Sequence, residues 1–330
     1  MKYLKTLAIL LAFVFVITGA ECVLAAKTVT IKVGHGHSVF HPVNQGFELF
    51  KELLEKRTHG RIKVEVYPNA QLGSESEMAE MTKMGTMQGI MFGRFEEMSP
   101  MLYAFALPFL FKDYAHVNRV LNGPLGSFYA TYVEEHGLKL LGWAHSGFRQ
   151  ITNNVRPIRR PEDLQGLKMR TPPLENIIET MKAFGASPTP IAYPEVYMAL
   201  KTKVVDGQEN PYVNIYSEKF YEVQKYLTEA NYIYMPGPFC VGLKWWNSLS
   251  PEDQKIIELA AKSAVAYTNA LTEAEDQKYK KLIAESGVQI YELSDEERAA
   301  FIEKAQPVYD SFIKKGIVTE RIIKLIHLTK

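Results

Sequence analysis

From Thr28 onward, apolar positions along the chain alternate between the two-residue period of strands and the longer period of helices. Residues 28–35 place β-branched side chains at every second position, which predicts a strand. Residues 44–60 carry four apolar side chains at helical spacing and end at Gly60, and residues 61–68 alternate again. This strand–helix–strand order predicts an α/β fold.

The same patterns continue through the rest of the chain. Pro194 begins one of the predicted helices, a position where its missing N–H costs nothing. Residues 250–287 begin with Ser-Pro-Glu-Asp and are rich in Glu, Lys and Ala, which predicts a helix long enough to bridge two lobes. A last pair of helices is predicted from Ser294 and within 316–327. The other predicted strands are 89–93, 138–143, 148–152, 167–170 and 204–209, and the other predicted helices are 74–84, 174–184 and 194–202.

The first 26 residues have the pattern of a secretory signal peptide. Lys2 and Lys5 precede an uninterrupted apolar run from Leu7 to Ile17, and small residues allow cleavage after Ala25 or Ala26. The apolar run is too short for a membrane span, which needs about 20 residues. We therefore expect an exported protein that begins near Lys27.

The two cysteines, Cys22 and Cys240, leave one alternative open at the N-terminus. Cys22 could be lipidated as in a lipoprotein, although Glu21 is a poor match for the small residue expected before such a cysteine. If Cys22 instead leaves with the signal peptide, the mature chain cannot form an internal disulfide.

Composition and sequence motifs narrow the classes of function to be considered. The chain of 330 residues is long enough for about two domains. Its 38 Lys and Arg nearly balance its 37 Asp and Glu, without a basic stripe, so we expect no nucleic-acid partner. The sequence lacks the common nucleophile, nucleotide and zinc-protease motifs, which makes an enzyme the weaker hypothesis and leaves no cofactor expected.

Three histidines in the segment "GHGHSVFHP" support a rival interpretation. His35 and His37 would share one face of a strand, the spacing that zinc hydrolases use, with His41 nearby. A secreted metal-dependent hydrolase therefore remains an alternative, although no further ligand stands out. The other interpretation places these histidines on a loop beside a cleft.

Two arginines and one polar run are the candidates for binding. Arg170 ends the predicted strand 167–170, and open α/β sheets bind ligands at the carboxyl ends of their strands. Residues 204–211, "VVDGQENP", are consistent with either a surface turn or a strand end that presents hydrogen-bonding groups. Arg149 is a second candidate cation, and each arginine could also lie on a solvated face.

Two longer segments carry a family resemblance. Residues 149–173, "RQITNNVRPIRRPEDLQGLKMRTPP", and residues 184–211, "FGASPTPIAYPEVYMALKTKVVDGQENP", resemble the DctP-type solute-binding proteins of tripartite ATP-independent periplasmic (TRAP) transporters. "YPNAQLG" (67–73) and "FALPFLF" (105–111) resemble the same family, and the likeness covers essentially the mature chain.

The resemblance implies two α/β lobes with a long helix packed along both and an organic anion in the cleft between them. It divides the chain into an N-terminal lobe (27–147 and 236–274) and a C-terminal lobe (148–235 and 275–330). By the family pattern, Arg170 pairs with the ligand carboxylate, Arg149 is a second cation and Asn210 completes the carboxylate site. The implied ligand-binding set is Arg149, Arg170, Asn210, Tyr193, His37 and Arg94.

Departures from the family pattern bear on the ligand. Gly93 and Arg94 stand where relatives that bind sialic acid have a Glu, Pro173 replaces a polar residue, and Tyr232 replaces a His. These differences disfavour sialic acid, and a further cation such as Arg94 suits a dicarboxylate or a hydroxy or sugar acid.

The resemblance also implies the partners. A small organic acid would be captured without chemistry and delivered to the membrane permease of a TRAP transporter in the periplasm. A binding protein of an ATP-driven transporter remains a second alternative, and a sensing role is compatible with the same cleft.

Overall fold

The computed structural model describes residues 28–92 and 100–329. The predicted signal peptide, Cys22 and Arg94 lie outside the described residues.

Strands and helices alternate along most of the chain, as the sequence predicts. The strands are β1 (Val29–Gly34), β2 (Ile62–Tyr67), β3 (Gly89–Met91), β4 (Leu138–Asn153), β5 (Lys168–Thr171), β6 (Ser187–Pro190), β7 (Gly207–Pro211), β8 (Tyr226–Glu229), β9 (Tyr234–Gly242) and β10 (Gln289–Glu292). The helices are α1 (Pro42–Arg57), α2 (Glu75–Met84), α3 (Tyr114–Leu121), α4 (Pro124–Glu135), α5 (Glu175–Ala183), α6 (Val196–Lys201), α7 (Tyr212–Ser217), α8 (Leu243–Asn247), α9 (Pro251–Glu285), α10 (Asp295–Lys314) and α11 (Glu320–Leu328).

The strands form a sheet with two halves that share β4. In the first half β1 lies between β2 and β3 in parallel, and β9 is antiparallel to both β3 and β4. In the second half β4 is antiparallel to β7 and β8, β5 lies in parallel between β7 and β6, and β10 is parallel to β8. Both halves are therefore mixed sheets with helices as crossovers, which is the predicted α/β class.

Strand β4 corrects the prediction of two separate strands at 138–143 and 148–152. It is one strand of 16 residues that pairs with β9 as far as Phe148 and with β7 from Arg149. One register shift lies between Leu140 and Gly142, inside the first predicted strand, and the other lies between His145 and Gly147, in the gap between the two predicted strands. Gly147 has a φ of 112°, and a Cβ there would lie 2.8 Å from the Cβ of Pro211, so glycine allows the strand to pass from one half to the other.

Strand β7 corrects the prediction for residues 204–209 and resolves the choice between turn and strand. The strand begins at Gly207, and Val204 is 56% exposed. All five residues of β7 are buried, although most are polar. The polar run is thus itself a buried strand, and it must find its hydrogen bonds inside the protein.

Helix α9 spans both halves of the sheet. Ser250 caps it by accepting from the backbone N–H of Asp253, as the Ser-Pro-Glu-Asp sequence predicts. Asn269, in the middle of the helix, accepts from the N–H of His145 at 2.7 Å and donates to the carbonyl of Trp143 at 3.0 Å, which ties the helix to β4. Further along, the ring of Tyr279 stacks on Tyr216 of α7 at 4.5 Å. The prediction of a two-lobed fold with one long helix along both lobes is confirmed.

Candidate ligand-binding site

One cavity brings together five of the six residues predicted to bind a ligand. It lies between the loop after β1, the start of α2 and the strands β4, β5, β7 and β9. Its volume is about 10 Å³, room for about one water molecule, so the walls are closely apposed. The lining residues are His37, Glu75, Phe92, Ser146, Arg149, Arg170, Tyr193, Asn210, Asn214, Met235 and Pro236.

The guanidinium of Arg170 is held in place by a backbone carbonyl. The side chain is 1% exposed, and its Nε and Nη2 donate to the carbonyl oxygen of Ile191 at 2.9 and 2.7 Å. Its Cζ lies 6.0 Å from the centre of the Tyr193 ring. Because β5 and β6 are parallel and Ile191 directly follows β6, the paired strands place donor and acceptor side by side. The guanidinium is therefore fixed in orientation before any ligand arrives.

Arg149 forms a buried ion pair with Glu209. Its Nε bonds to Oε2 of Glu209, and its Nη2 donates to Oε1 at 2.8 Å and to the carbonyl oxygen of the same residue at 2.6 Å. The hydroxyl of Tyr232 donates to Oε2 at 2.6 Å. Burial alone would lower the pKa of Arg149, but the charge and hydrogen bonds of Glu209 outweigh it, so the pKa is raised above its usual value. Burial and the charge of Glu209 raise the pKa of Tyr232 well above its ordinary range, so the phenol stays protonated.

Asn210 connects Arg149 to the buried polar side chains of the second half. Its Oδ1 accepts from Nη2 of Arg149 and from Nδ2 of Asn214, each at 3.1 Å. Its Nδ2 donates to Oε1 of Gln208 at 2.5 Å, and Gln208 in turn donates to Oγ1 of Thr152 at 2.8 Å. These bonds explain how the polar residues of β7 are accommodated in a buried strand, since each amide has partners at both ends.

The wall contributed by the first half is aromatic and acidic. His37 is 3% exposed, and its Nε2 lies 3.8 Å from Oε1 of Glu75. Its ring meets Phe92 edge-on at 5.4 Å and Tyr193 of the second half at 4.8 Å. His37 and Tyr193 thus contact each other across the cavity, which joins the two halves at the site.

Tyr193 is buried with its ring between the two walls. Burial and the charges of Glu218 and Glu75 raise the pKa of its hydroxyl well above the usual range. Among the described residues the hydroxyl has no hydrogen-bond partner. A buried donor of this kind is costly unless another group satisfies it, which suits a position beside a polar ligand.

The other two histidines of the segment "GHGHSVFHP" have structural partners. Nε2 of His35 lies 3.2 Å from Oδ1 of Asn44. Nδ1 of His41 accepts from the N–H of Val43 at 3.1 Å. Burial lowers the pKa of His35 to about 4 and that of His41 to about 3. Strand β1 ends at Gly34, so His35 and His37 lie on the following loop and not on a strand face. Within 28–92 and 100–329 no group of three or more His, Cys, Asp or Glu could hold a metal ion.

The sequence prediction did not include several residues of this site. Glu209 and Tyr232 hold Arg149, while Glu75, Phe92 and Asn214 line the cavity. The sequence offered one indication that Asn214 belongs to the site: it follows Asn210 by four residues, with a proline between them. Glu209 could not be assigned without the strand register, which places it diagonally across from Arg149.

The fold is that of a two-lobed solute-binding protein. A family model, the DctP family described as "Bacterial extracellular solute-binding protein, family 7", matches residues 33–315. The chain belongs to this family, and the resemblance to TRAP solute-binding proteins seen in the sequence is confirmed.

Named relatives and solved structures support the same family assignment. The C4-dicarboxylate-binding periplasmic protein DctP of Rhodobacter capsulatus is 34% identical over 295 residues, covering 88% of each chain. A TRAP periplasmic solute-binding protein of Sulfurospirillum deleyianum, solved with bound succinate, is 31% identical with a TM-score of 0.87, covering 92% of this chain and 100% of that one. Another from Haemophilus influenzae, solved with bound L-gulonate, is 32% identical with the same TM-score of 0.87 and the same coverage of 92% and 100%.

Proposed function

We propose that this protein captures a small organic acid and that its carboxylate binds Arg170, assisted by Arg149 and Asn210. The observation that carries the proposal is the meeting of these three side chains, from β5, β4 and β7, in one buried cavity. A guanidinium offers parallel N–H donors that match the two oxygens of a carboxylate. Such charge-assisted bonds contribute about 1.5–3 kcal/mol each.

Capture requires the two halves to move relative to each other. A cavity of about 10 Å³ is too small for an organic acid, and residues of both halves close it. We infer that the lobes open to admit the ligand and close by a hinge motion at β4, the strand they share, driven by ligand contacts to both walls. The lobe boundaries 27–147 with 236–274 and 148–235 with 275–330 belong to this proposal. Their support is that β4 changes its partner strand after Phe148.

We infer a dicarboxylate or a hydroxy or sugar acid as the ligand. The relatives bind acids of both kinds: succinate is bound in one structure and L-gulonate in another. His37 and Arg94 remain proposed contacts to the far end of the ligand, and Tyr193 remains a proposed aromatic contact to the ligand. The support for His37 and Tyr193 is their place in the cavity wall.

Export, delivery and the absence of chemistry complete the proposal. The relative from Rhodobacter capsulatus is a periplasmic protein, and no helix among residues 28–92 and 100–329 is long and apolar enough to cross a membrane. We infer a periplasmic protein that is exported by its signal peptide and docks on the permease of a TRAP transporter. We infer no catalytic step and no cofactor.

The test is a thermal-shift panel on refolded protein, with C4-dicarboxylates, aldonates, uronates, keto acids and aromatic acids as ligands. Binding to the folded state raises the apparent melting temperature by mass action. We expect one class of acid to stabilise the wild type and to lose this effect in Arg170→Ala. Arg119→Ala, at an exposed arginine of α3, is the matched control and should respond as the wild type does.

Two results would overturn the proposal. One is a panel in which no acid stabilises the wild type. The other is an Arg170→Ala variant that keeps the full response, because the carboxylate would then be bound elsewhere.

A further inference from the structure

The loop after β1 contacts the second half of the protein directly, away from the arginines. The N–H of Ser38 donates to Oε1 of Glu218 at 2.9 Å. Nε2 of His41 lies 3.2 Å from Oδ1 of Asn214, and both side chains are buried. These contacts can exist only while the two halves are close together, so they belong to the closed conformation.

The hydrogen-bond roles of His41 are fixed by its position before helix α1. His41 is the N-cap of this helix, and its Nδ1 accepts from the N–H of Val43. An accepting Nδ1 carries no proton, so in the neutral ring the proton is on Nε2. His41 therefore donates through Nε2 to Oδ1 of Asn214.

That donation fixes the orientation of the Asn214 amide, and the donating guanidinium of Arg149 fixes that of Asn210. Oδ1 of Asn214 accepts from His41, so Nδ2 is the end that faces Asn210 and donates to its Oδ1 at 3.1 Å. Oδ1 of Asn210 also accepts from Arg149, and its Nδ2 donates to Gln208. The donors thus run in one direction from the loop of the first half to the carboxylate site of the second.

We propose that His41 and Asn214 are positioning residues that couple closure of the two halves to the hydrogen bonding of Asn210 at the ligand site. This inference rests on the proposed function, because it assigns the pair a role in holding the acid. The contact between them is called the His41–Asn214 bridge below.

The bridge affects release more than capture. Opening the lobes breaks it and frees the amide of Asn214 to rotate, so the hydrogen bond from Asn214 to Asn210 is fully formed only in the closed form. The bridge is absent when a ligand enters the open form, so its loss does not slow association. The dissociation rate constant rises about 3- to 10-fold, the range expected for one neutral buried hydrogen bond.

Two variants separate this role from helix capping. His41→Asn keeps a good N-cap residue but is too short to reach Asn214, while Asn214→Ala removes the other end of the bridge. Each should raise the dissociation rate in stopped-flow measurements with the acid that stabilises the wild type. The double variant should release the ligand no faster than the faster single variant, since both remove the same contact. Gln289→Ala, at an exposed amide on β10, is the control.

A second readout does not depend on a ligand. Spin labels at cysteines introduced for the exposed residues Glu52 and Lys182 would report the distance between the halves. In a chain that begins at Lys27 the only other cysteine is Cys240, which is fully buried. We expect both bridge variants to shift the ligand-free distances toward longer values.

The outcomes distinguish the two proposals. If the wild type binds no acid, the proposed function fails, and the spin-label distances alone decide whether the bridge holds the halves together. If the wild type binds an acid while both variants keep its dissociation rate, the bridge proposal is overturned and the proposed function stands. Additive effects in the double variant would also overturn it.

Discussion

Arg149 and Glu209 form an ion pair across β4 and β7 in which both side chains are almost completely buried, with exposures of 4% and 0%. The register pairs Arg149 with Pro211, so Glu209 is its diagonal neighbour on the adjacent strand. Three hydrogen bonds join the two residues, two of them to the carboxylate, which accepts a third from Tyr232. Arg149 lines the cavity described above, so the charges of the pair contribute to the electrostatic field there.

Removing either partner of this pair should destabilise the protein strongly. Arg149→Ala leaves the carboxylate of Glu209 buried without its cation, and Glu209→Ala leaves the guanidinium without its anion. We expect each to lower the free energy of unfolding by about 3–5 kcal/mol, measured by urea denaturation.

The double variant Arg149→Met/Glu209→Leu is the informative control. It removes both charges together, so it should recover most of the lost stability while still failing to bind an organic acid tightly. Single variants that cost less than 1 kcal/mol would show that the pair is not a principal element of the fold.

The sequence allowed prediction of the α/β class, the long helix and the placement of residues that depends on local pattern. Arg170 is an example, since the end of a strand next to Thr171-Pro172-Pro173 is visible in the sequence. Partners that depend on strand register could not be predicted. Glu209 reaches Arg149 because β4 continues through Gly147 into the second half, whereas the sequence pattern suggested two strands. The contact between His41 and Asn214 could not be predicted either, because the two residues are 173 positions apart in the sequence.

Replacing Arg170 with lysine should also reduce binding, although the charge is kept. The guanidinium is oriented by two hydrogen bonds to the carbonyl of Ile191, and a lysine amine cannot keep this contact while offering parallel donors to a carboxylate. We expect the dissociation constant of the stabilising acid to rise about 10- to 100-fold, which corresponds to about 1.4–2.8 kcal/mol. Isothermal titration calorimetry would measure it, and unchanged affinity would mean that only the charge of Arg170 matters.

Gly237 on β9 should be intolerant of any side chain. A Cβ at this position would lie 1.5 Å from Cε1 of Phe92, which lines the cavity and meets the ring of His37. Gly237→Ala must therefore displace the Phe92 ring, and we expect weaker ligand binding together with a lower melting temperature. Calorimetry and thermal unfolding would measure the two effects.

The double variant Gly237→Ala/Phe92→Ala tests the cause. It removes the clash, so it should be less destabilised than the sum of the two single variants. Strict additivity would show that Gly237 is required for a reason other than the approach of Phe92.

Asp276 on α9 should make the protein less stable as the pH rises toward neutrality. Burial, followed by the charges of Glu229 and Glu273, raises the pKa of its carboxyl from 3.8 to about 7, although a hydrogen bond of 2.6 Å from the Tyr114 hydroxyl acts in the opposite direction. The folded state thus holds this proton more tightly than the unfolded chain does. The resulting stabilisation is fully present below about pH 4 and is lost as the pH rises through about 7.

Asp276→Asn removes this ionisation and keeps a partner for Tyr114. At about 1.4 kcal/mol per pH unit, the difference between 3.8 and about 7 amounts to at most about 4 kcal/mol. We expect the variant to be more stable than the wild type at pH 8, with a smaller advantage at pH 5. The exposed Asp310→Asn serves as the control and should follow the wild type at both pH values. Urea denaturation at pH 5 and pH 8 measures the difference, and an Asp276→Asn advantage that does not grow with pH would contradict the assignment.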